Sequence, residues 1–268
     1  MSPASTKLGG IARADPELAP YARLLAIAIE AAADDWLVEL PDVRLRLERG
    51  RPALHEAPLT LPQDSVQELW QRLTAEAPSP AGFPVRVGPG EGWDEAPQLE
   101  DLAAALAMKS VDADPILQLS LMPILHVARR ATQEALASTI WMSGICPVCA
   151  AWPALAESRG LDRARVLRCG RCGSGWTLPW QLCPFCANQD HHGLSYLYSQ
   201  QTGEARRVFA CERCHGYLKT IATIAPIEPL DVPVEDLATL ELDLAAVDAG
   251  LARPSQPGFD LEVRLRWS

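Results

Sequence analysis

Apolar residues recur at helical spacing through most of the first 140 positions of this chain. In LAPYARLLAIAIEAAADDWL (18–37), Tyr21, Leu24, Leu25, Ala28 and Ala32 share one face, which predicts a long amphipathic helix. SVQELWQRL opens with Ser65 and Glu68, the spacing of a capping box, and aligns Val66, Leu69, Trp70 and Leu73. Between these two helices, Pro41, Pro52, Pro58 and Pro62 predict an extended connection or short strands over 38–63. A loop rich in Pro and Gly (78–97) precedes a short helix in QLEDLAAALAMK. Asp114-Pro115 then supplies an N-cap and a first-turn proline for a helix from Ile116 to about Met142. That helix turns Leu117, Leu121, Ile124, Leu125, Ala128 and Leu136 inward, with a kink expected at Pro123.

The period changes after Gly144. RVLRC, GLSYLYS, RRVFAC and YLKTIATI are short strand-like runs separated by Cys pairs and Gly. Pro226, Pro229 and Pro233 form a spacer. PVEDLATLELDLAAVDAG returns to helical spacing through Leu237, Leu240, Leu244 and Val247, with Gly250 as its stop. Residues 253–268 read as a loose tail. The expected fold is α+β. A mainly helical domain spans 1–143, two small four-Cys modules of zinc-ribbon type span 144–181 and 182–225, and a spacer, C-terminal helix and tail span 226–268.

All eight cysteines fall between 146 and 214, each in a Cys-x-x-Cys pair, with 19, 10 and 24 residues between successive pairs. Two cysteines three apart on a tight turn aim both sulfurs at one point, and a second such knuckle completes a tetrahedral sulfur shell for zinc or iron. Gaps of 19 and 24 leave room for a hairpin, whereas ten suits a crossing between modules. Sequential sites fit best, with Cys146, Cys149, Cys169 and Cys172 around one metal ion and Cys183, Cys186, Cys211 and Cys214 around another. An interleaved pairing, first with fourth and second with third, is the alternative. Spacing does not separate zinc from iron. A closed sulfur shell has no open position for metal-activated hydrolysis, which points to a scaffold and away from a catalyst.

Rival readings of the pairs are weaker. Cys146-Pro-Val-Cys149 and Cys183-Pro-Phe-Cys186 look like thiol-redox sites, but such a motif normally occurs once. Cys211-Glu-Arg-Cys214-His215 matches a c-type haem attachment pattern that its three sibling pairs lack. His191 and His192 are expected in a solvated loop, and His126 as a packed or surface residue. Trp176 and Trp180 either form an exposed recognition patch or cap the small module cores.

Composition narrows the partners. The 268 residues are 48% apolar and 22% charged, an ordinary soluble balance. No apolar run approaches the roughly 20 residues of a membrane span. MSPASTKLGGIARADPELAP shows neither the apolar stretch of a signal peptide nor a twin-arginine pair, so a cytoplasmic protein without membrane insertion is expected. A net charge of −10 argues against generic nucleic-acid binding. From Cys146 to Thr220, however, nine Lys/Arg face five Asp/Glu, which keeps a zinc-ribbon nucleic-acid regulator as the second reading and a thiol-redox protein as the third.

The order ICPVCAAWP, LRCGRCGSGWTLPWQLCPFC, CERCHGYLK and VEDLATLELD resembles the C-terminal half of the formate dehydrogenase accessory protein family, FdhE. Beyond the eight cysteines, Trp176, Gly216, Tyr217, Leu218, Lys219, Asp236 and Leu237 occupy the family's positions. Ala150 stands where the family usually has Gly. The resemblance implies two rubredoxin-like metal modules after a helical domain. It also implies a non-enzymatic, cytoplasmic chaperone of maturation, whose partner is the catalytic subunit of a respiratory molybdenum or tungsten formate dehydrogenase, or a related molybdoenzyme, before export.

Overall fold

A computed structural model describes residues 3–40, 42–77, 96–108, 115–198 and 203–268. Pro41, the loop of 78–97 except its last two residues, and the capping role of Asp114 lie outside the described residues. The fold is α+β. Helix α1 (Pro3–Ala14), which periodicity did not pick out, buries Ala4 and Leu8 against α2 (Ala19–Ala33). The prolines at 38–63 enclose a short helix α3 (Arg44–Glu48) and a strand β1 (Ala57–Leu61). Helix α4 (Gln63–Glu76) buries Val66, Leu69, Trp70 and Leu73 as expected. It starts two residues before Ser65, so the expected capping box is not used. The box forms instead at α5 (Leu99–Leu106), between Gln98 and Asp101.

Pro123 does more than kink the expected 116–142 helix. The chain forms α6 (Pro115–Ser120) and α7 (Met122–Ala137), with Leu121 between them. Proline has no N–H to donate and clashes with the carbonyl four residues back, so it serves in the first turn of a new helix.

The cysteine region forms one six-stranded sheet. Strands β2 (Leu155–Arg159), β3 (Ala164–Arg168) and β4 (Gly175–Thr177) make an antiparallel half, and β5 (Leu194–Leu197), β6 (Arg206–Cys211) and β7 (Tyr217–Thr223) make another. The order is β4-β3-β2-β7-β6-β5. The halves join through a parallel β2–β7 pair running from Leu155 opposite Lys219 to Arg159 opposite Thr223. Backbone pairing therefore fixes how the halves lie.

Two expectations at the C-terminus are corrected. The single helix after the Pro spacer is α8 (Val232–Leu237) and α9 (Leu240–Asp248). Between them Thr239 is buried, and its Oγ1 donates to the carbonyls of Glu235 and Asp236 at 2.8 and 3.2 Å. A hydroxyl on these carbonyls competes with helix continuation. The break resets the phase: Leu242 and Ala246 face the core, while Leu244 and Val247 are 61% and 59% exposed. Gly250, at φ +78°, ends α9 as expected, and Leu251 N–H returns to the Ala246 carbonyl at 2.9 Å. The expected loose tail is ordered. Its strand β8 (Val263–Trp267) pairs in parallel with β1, and alternate residues Val263, Leu265 and Trp267 pack on the core.

Candidate metal centres

Each Cys pair sits on the same local device. The first cysteine of every pair donates its N–H to the carbonyl five residues on: Cys146 to Ala151, Cys169 to Ser174, Cys183 to Asn188 and Cys211 to Gly216, at 2.8–3.0 Å. In the first three, the residue after the second cysteine donates back to the first cysteine's carbonyl at 3.0 Å. That residue takes a left-handed backbone in all four, with φ of +63° at Ala150, +71° at Gly173, +55° at Ala187 and +54° at His215. The turn aims both thiols of a pair to one side. Gly216 follows the last turn because a Cβ there would lie 2.8 Å from Phe185 and 3.1 Å from Cys214 Sγ.

The four turns pair in sequence, not interleaved. Cys146, Cys149, Cys169 and Cys172 form one cluster and Cys183, Cys186, Cys211 and Cys214 the other, with sulfurs in each within 4.8 Å of one another. In the first, Sγ–Sγ distances are 3.5 Å for Cys146–Cys172, 3.5 Å for Cys149–Cys169 and 3.9 Å for Cys149–Cys172. In the second they are 3.8 Å for Cys183–Cys214 and 3.7 Å for Cys186–Cys211. A tetrahedron with metal–sulfur bonds of about 2.3 Å has edges of about 3.8 Å, so both thiol sets fit one four-coordinate ion. Either cluster could hold zinc or iron.

Their surroundings differ. All four thiols of the first cluster are fully buried and share a core with Ala53, Leu54 and Leu106. The backbone N–H groups of Ala53 and Leu54 grip the carbonyls of Pro147 and Val148 at 2.8 and 3.1 Å. Arg171, inside the second pair, donates to the carbonyls of Ala105 and Leu106 at 2.7 and 3.1 Å, capping the C-terminal end of α5. In the second cluster Cys186 is half-buried and Cys214 is exposed.

Thiol ionisation is uneven. Burial pushes Cys146, Cys172 and Cys183 up, and Cys214 up to about 11. Hydrogen bonds from Cys146 and its neighbours hold Cys149 down. At Cys211 burial is outweighed by backbone hydrogen bonds at Cys214 and Arg213, and the thiol is lowered. Cys149 and Cys211 are thus favoured as thiolates, and a bound cation would help to ionise Cys146, Cys172, Cys183 and Cys214.

The remaining candidates take ordinary places. Asp190, His191 and His192 converge on an exposed turn, and none of them joins either thiol cluster. His126 is buried, and burial, followed by Arg129 and Arg130, lowers it to about 3. Trp176 is buried, with its indole N–H on the Ser143 carbonyl at 3.0 Å. Trp180 lies under Arg165 and Arg207, 5.2 and 5.5 Å from its ring. Both tryptophans cap the modules. Cys211 and Cys214 face Cys183 and Cys186, which leaves the haem-like pattern without support.

Sequence reasoning missed the support around the clusters. Lys219 is wholly enclosed and pairs with Asp236 and Asp243, which Arg253 joins from the far side. Asn188 directs its amide at Cys211 Sγ from 3.8 Å. Lys219 and Asp236 were visible as motif positions, but their pairing depends on a fold that brings β7 beside the α8–α9 break.

Comparison with known proteins gives one consistent result. Residues 182–259 match the family model described as "FdhE, C-terminal domain". A protein named FdhE homolog from Edwardsiella ictaluri is 32% identical over 205 residues, 71% of this chain and 65% of that protein. Another from Aquifex aeolicus is 30% identical over 117 residues, 42% of this chain and 40% of its own length. The chain thus spans less than two thirds of these curated relatives. The crystal structure of the FdhE protein from Pseudomonas aeruginosa matches 94% of this chain and 92% of that one, with a TM-score of 0.61 and 24% identity. At that identity the likeness speaks for the fold.

Proposed function

Taking as premise that this chain is an FdhE-like protein, we propose that it is a non-enzymatic maturation factor for a formate dehydrogenase. In this reading it binds the catalytic subunit of a molybdenum- or tungsten-dependent enzyme in the cytoplasm, before export. Cys146, Cys149, Cys169 and Cys172 hold one metal ion, and Cys183, Cys186, Cys211 and Cys214 hold a second, iron or zinc in each. Such an ion supplies positive charge that gathers four thiolates and cross-links two turns.

The observation that carries the reading is that both sulfur sets are complete. Four thiols at tetrahedral spacing leave no position for water or substrate, so the modules suit presenting a surface better than reacting. The second module is the natural docking face, because it holds the exposed Cys214 and lies within the 182–259 match. A nucleic-acid surface gains little support, since three of the segment's cations are occupied within the fold. Arg165 donates to the carbonyls of Pro179 and Leu182, Arg168 pairs with Glu157, and Arg207 stacks 4.2 Å over Tyr196.

Co-expression with a formate dehydrogenase catalytic subunit tests this. The full chain should co-purify with that subunit, and Cys183→Ser with Cys186→Ser should abolish the association while the helical content stays. Absence of association by the unaltered, metal-loaded chain would overturn the reading.

A further inference from the structure

A cavity of about 460 Å³ lies between α7 and the first cysteine half of the sheet, closed on its far side by the Pro226–Pro229 spacer. Its charge is one-sided. Arg129, Arg159 and Arg168 line it, against the carboxylate of Glu228. Behind them the enclosed Glu157 is fully used: Arg159, Arg168, the Thr223 hydroxyl and the Ile227 N–H all donate to it.

Three donors at this cavity have no hydrogen-bond partner among the described residues. Ser174 is 3% exposed and its Oγ makes no hydrogen bond, and the same holds for Nε of Arg129 and Nε of Arg168. Arg168 spends its terminal nitrogens on Glu157 and on the carbonyls of Ile227 and Gly173. Arg129 leaves its buried Nε without an acceptor among the described residues. A buried donor left unpaired costs about 1–3 kcal/mol, which a bound acceptor removes. Gln133, Thr139 and Thr177 add polar groups to the wall, and beside them lies an apolar face. Trp141 and Trp176 direct their indole N–H groups to the carbonyls of Ile145 and Ser143, and Leu136 and Val166 continue the surface.

We propose that this cavity binds a carboxylate carried on an apolar body, with Arg129 as its charged partner and Ser174 as a hydroxyl donor. Three arginines against Glu157 and Glu228 leave a single positive charge, which matches a monoanion better than a phosphate dianion. The carboxylate belongs either to a small organic acid or to the end of a polypeptide. The site does not depend on the client proposed above, and it adjoins the first cluster, where the Ser174 carbonyl closes the Cys169 turn.

Isothermal titration of the full, metal-loaded chain tests it with 3-phenylpropionate, 3-phenylpropanamide, inorganic phosphate, and a short Leu-Phe-ending peptide with free or amidated C-terminus. The free carboxylates should bind saturably, and the amides about tenfold more weakly or worse. Arg129→Gln should cost about tenfold and Ser174→Ala roughly threefold, with metal content unchanged. Binding by the small acid identifies that source, and binding by the peptide alone identifies a chain end. The proposal fails if neither carboxylate binds at millimolar concentration, if amides or phosphate bind as well, or if Arg129→Gln alters metal retention but not binding.

Discussion

Lys219 is wholly enclosed, yet its ammonium reaches Asp236 twice, at 2.7 Å to the carboxylate and 2.6 Å to the backbone carbonyl. The same nitrogen lies 2.6 Å from Asp243, and Arg253 contacts both carboxylates at 2.9 and 2.7 Å. Tyr217 donates its hydroxyl to Asp243 at 2.8 Å. A strand that belongs to the second cysteine module is thereby locked to α8 and α9. The resemblance motifs Gly-Tyr-Leu-Lys and Val-Glu-Asp-Leu are two sides of this lock.

Breaking the lock from inside should be costly. Lys219→Met leaves two carboxylates facing each other without their central cation, and should destabilise the chain by about 3 kcal/mol. Asp236→Asn should cost only about 1 kcal/mol, because Asp236 is 30% exposed and its backbone carbonyl still accepts from Lys219. Urea midpoints of the two variants check the order. Equal losses would place the stability elsewhere.

The same pairs set an acid limit. Burial by itself would raise Asp243 and Glu157. Arg253 and Lys219 around the first, and Arg159 and Arg168 around the second, more than offset it and hold both below their ordinary 3.8 and 4.5. A carboxyl depressed in the folded chain contributes stability that is present above its unfolded pKa and is lost as pH falls through its folded one. Stability from these groups should be flat from neutrality to about pH 5 and decline below it. The difference between the unaltered chain and Asp243→Asn isolates the effect from thiolate protonation, and should shrink as pH drops below 3.8.

Sequence spacing carried the thiol clusters and the modules' strands, because Cys-x-x-Cys turns and strand-like runs are local signals. The four expected runs became β3, β5, β6 and β7. Long-range features were hidden. The alternation in Val-Arg-Leu-Arg-Trp (263–267) was legible, but only β1, some 200 residues earlier, makes it a strand. The face of α9 was misread because Thr239 breaks a pattern that looked continuous. Lys219 stood out only as a position of the resembled motif, since nothing local announces partners 17 and 24 residues away.

The two clusters should part company under attack. Thiols of the first are sealed by the core, whereas Cys214 is exposed and Cys186 half-exposed. Chelator should remove one metal equivalent quickly and the other only on the time scale of unfolding. Cys214→Ser should eliminate the fast phase and leave the slow one, as read by metal release into a colorimetric chelator. A single phase for both equivalents would contradict the difference in burial.

The residue after each second cysteine gives a pair of opposite effects. Ala187 holds φ +55° on an exposed turn, where a side chain brings strain and no packing. Ala187→Gly removes that strain, at some cost in unfolded-state entropy, and should stabilise by about 0.5–1 kcal/mol. Gly173 holds φ +71° at the equivalent place, but a Cβ there would lie 2.4 Å from the Pro229 carbonyl oxygen. Gly173→Ala therefore adds a backbone clash to the conformational strain and should destabilise by roughly 2 kcal/mol or more. Ala150, at φ +63° and fully buried, should gain less from glycine than Ala187, because its methyl also fills the core beside the first cluster. Thermal midpoints of the three metal-loaded variants should rank Ala187→Gly highest and Gly173→Ala lowest, and any other order would mean that the turns are not equivalent.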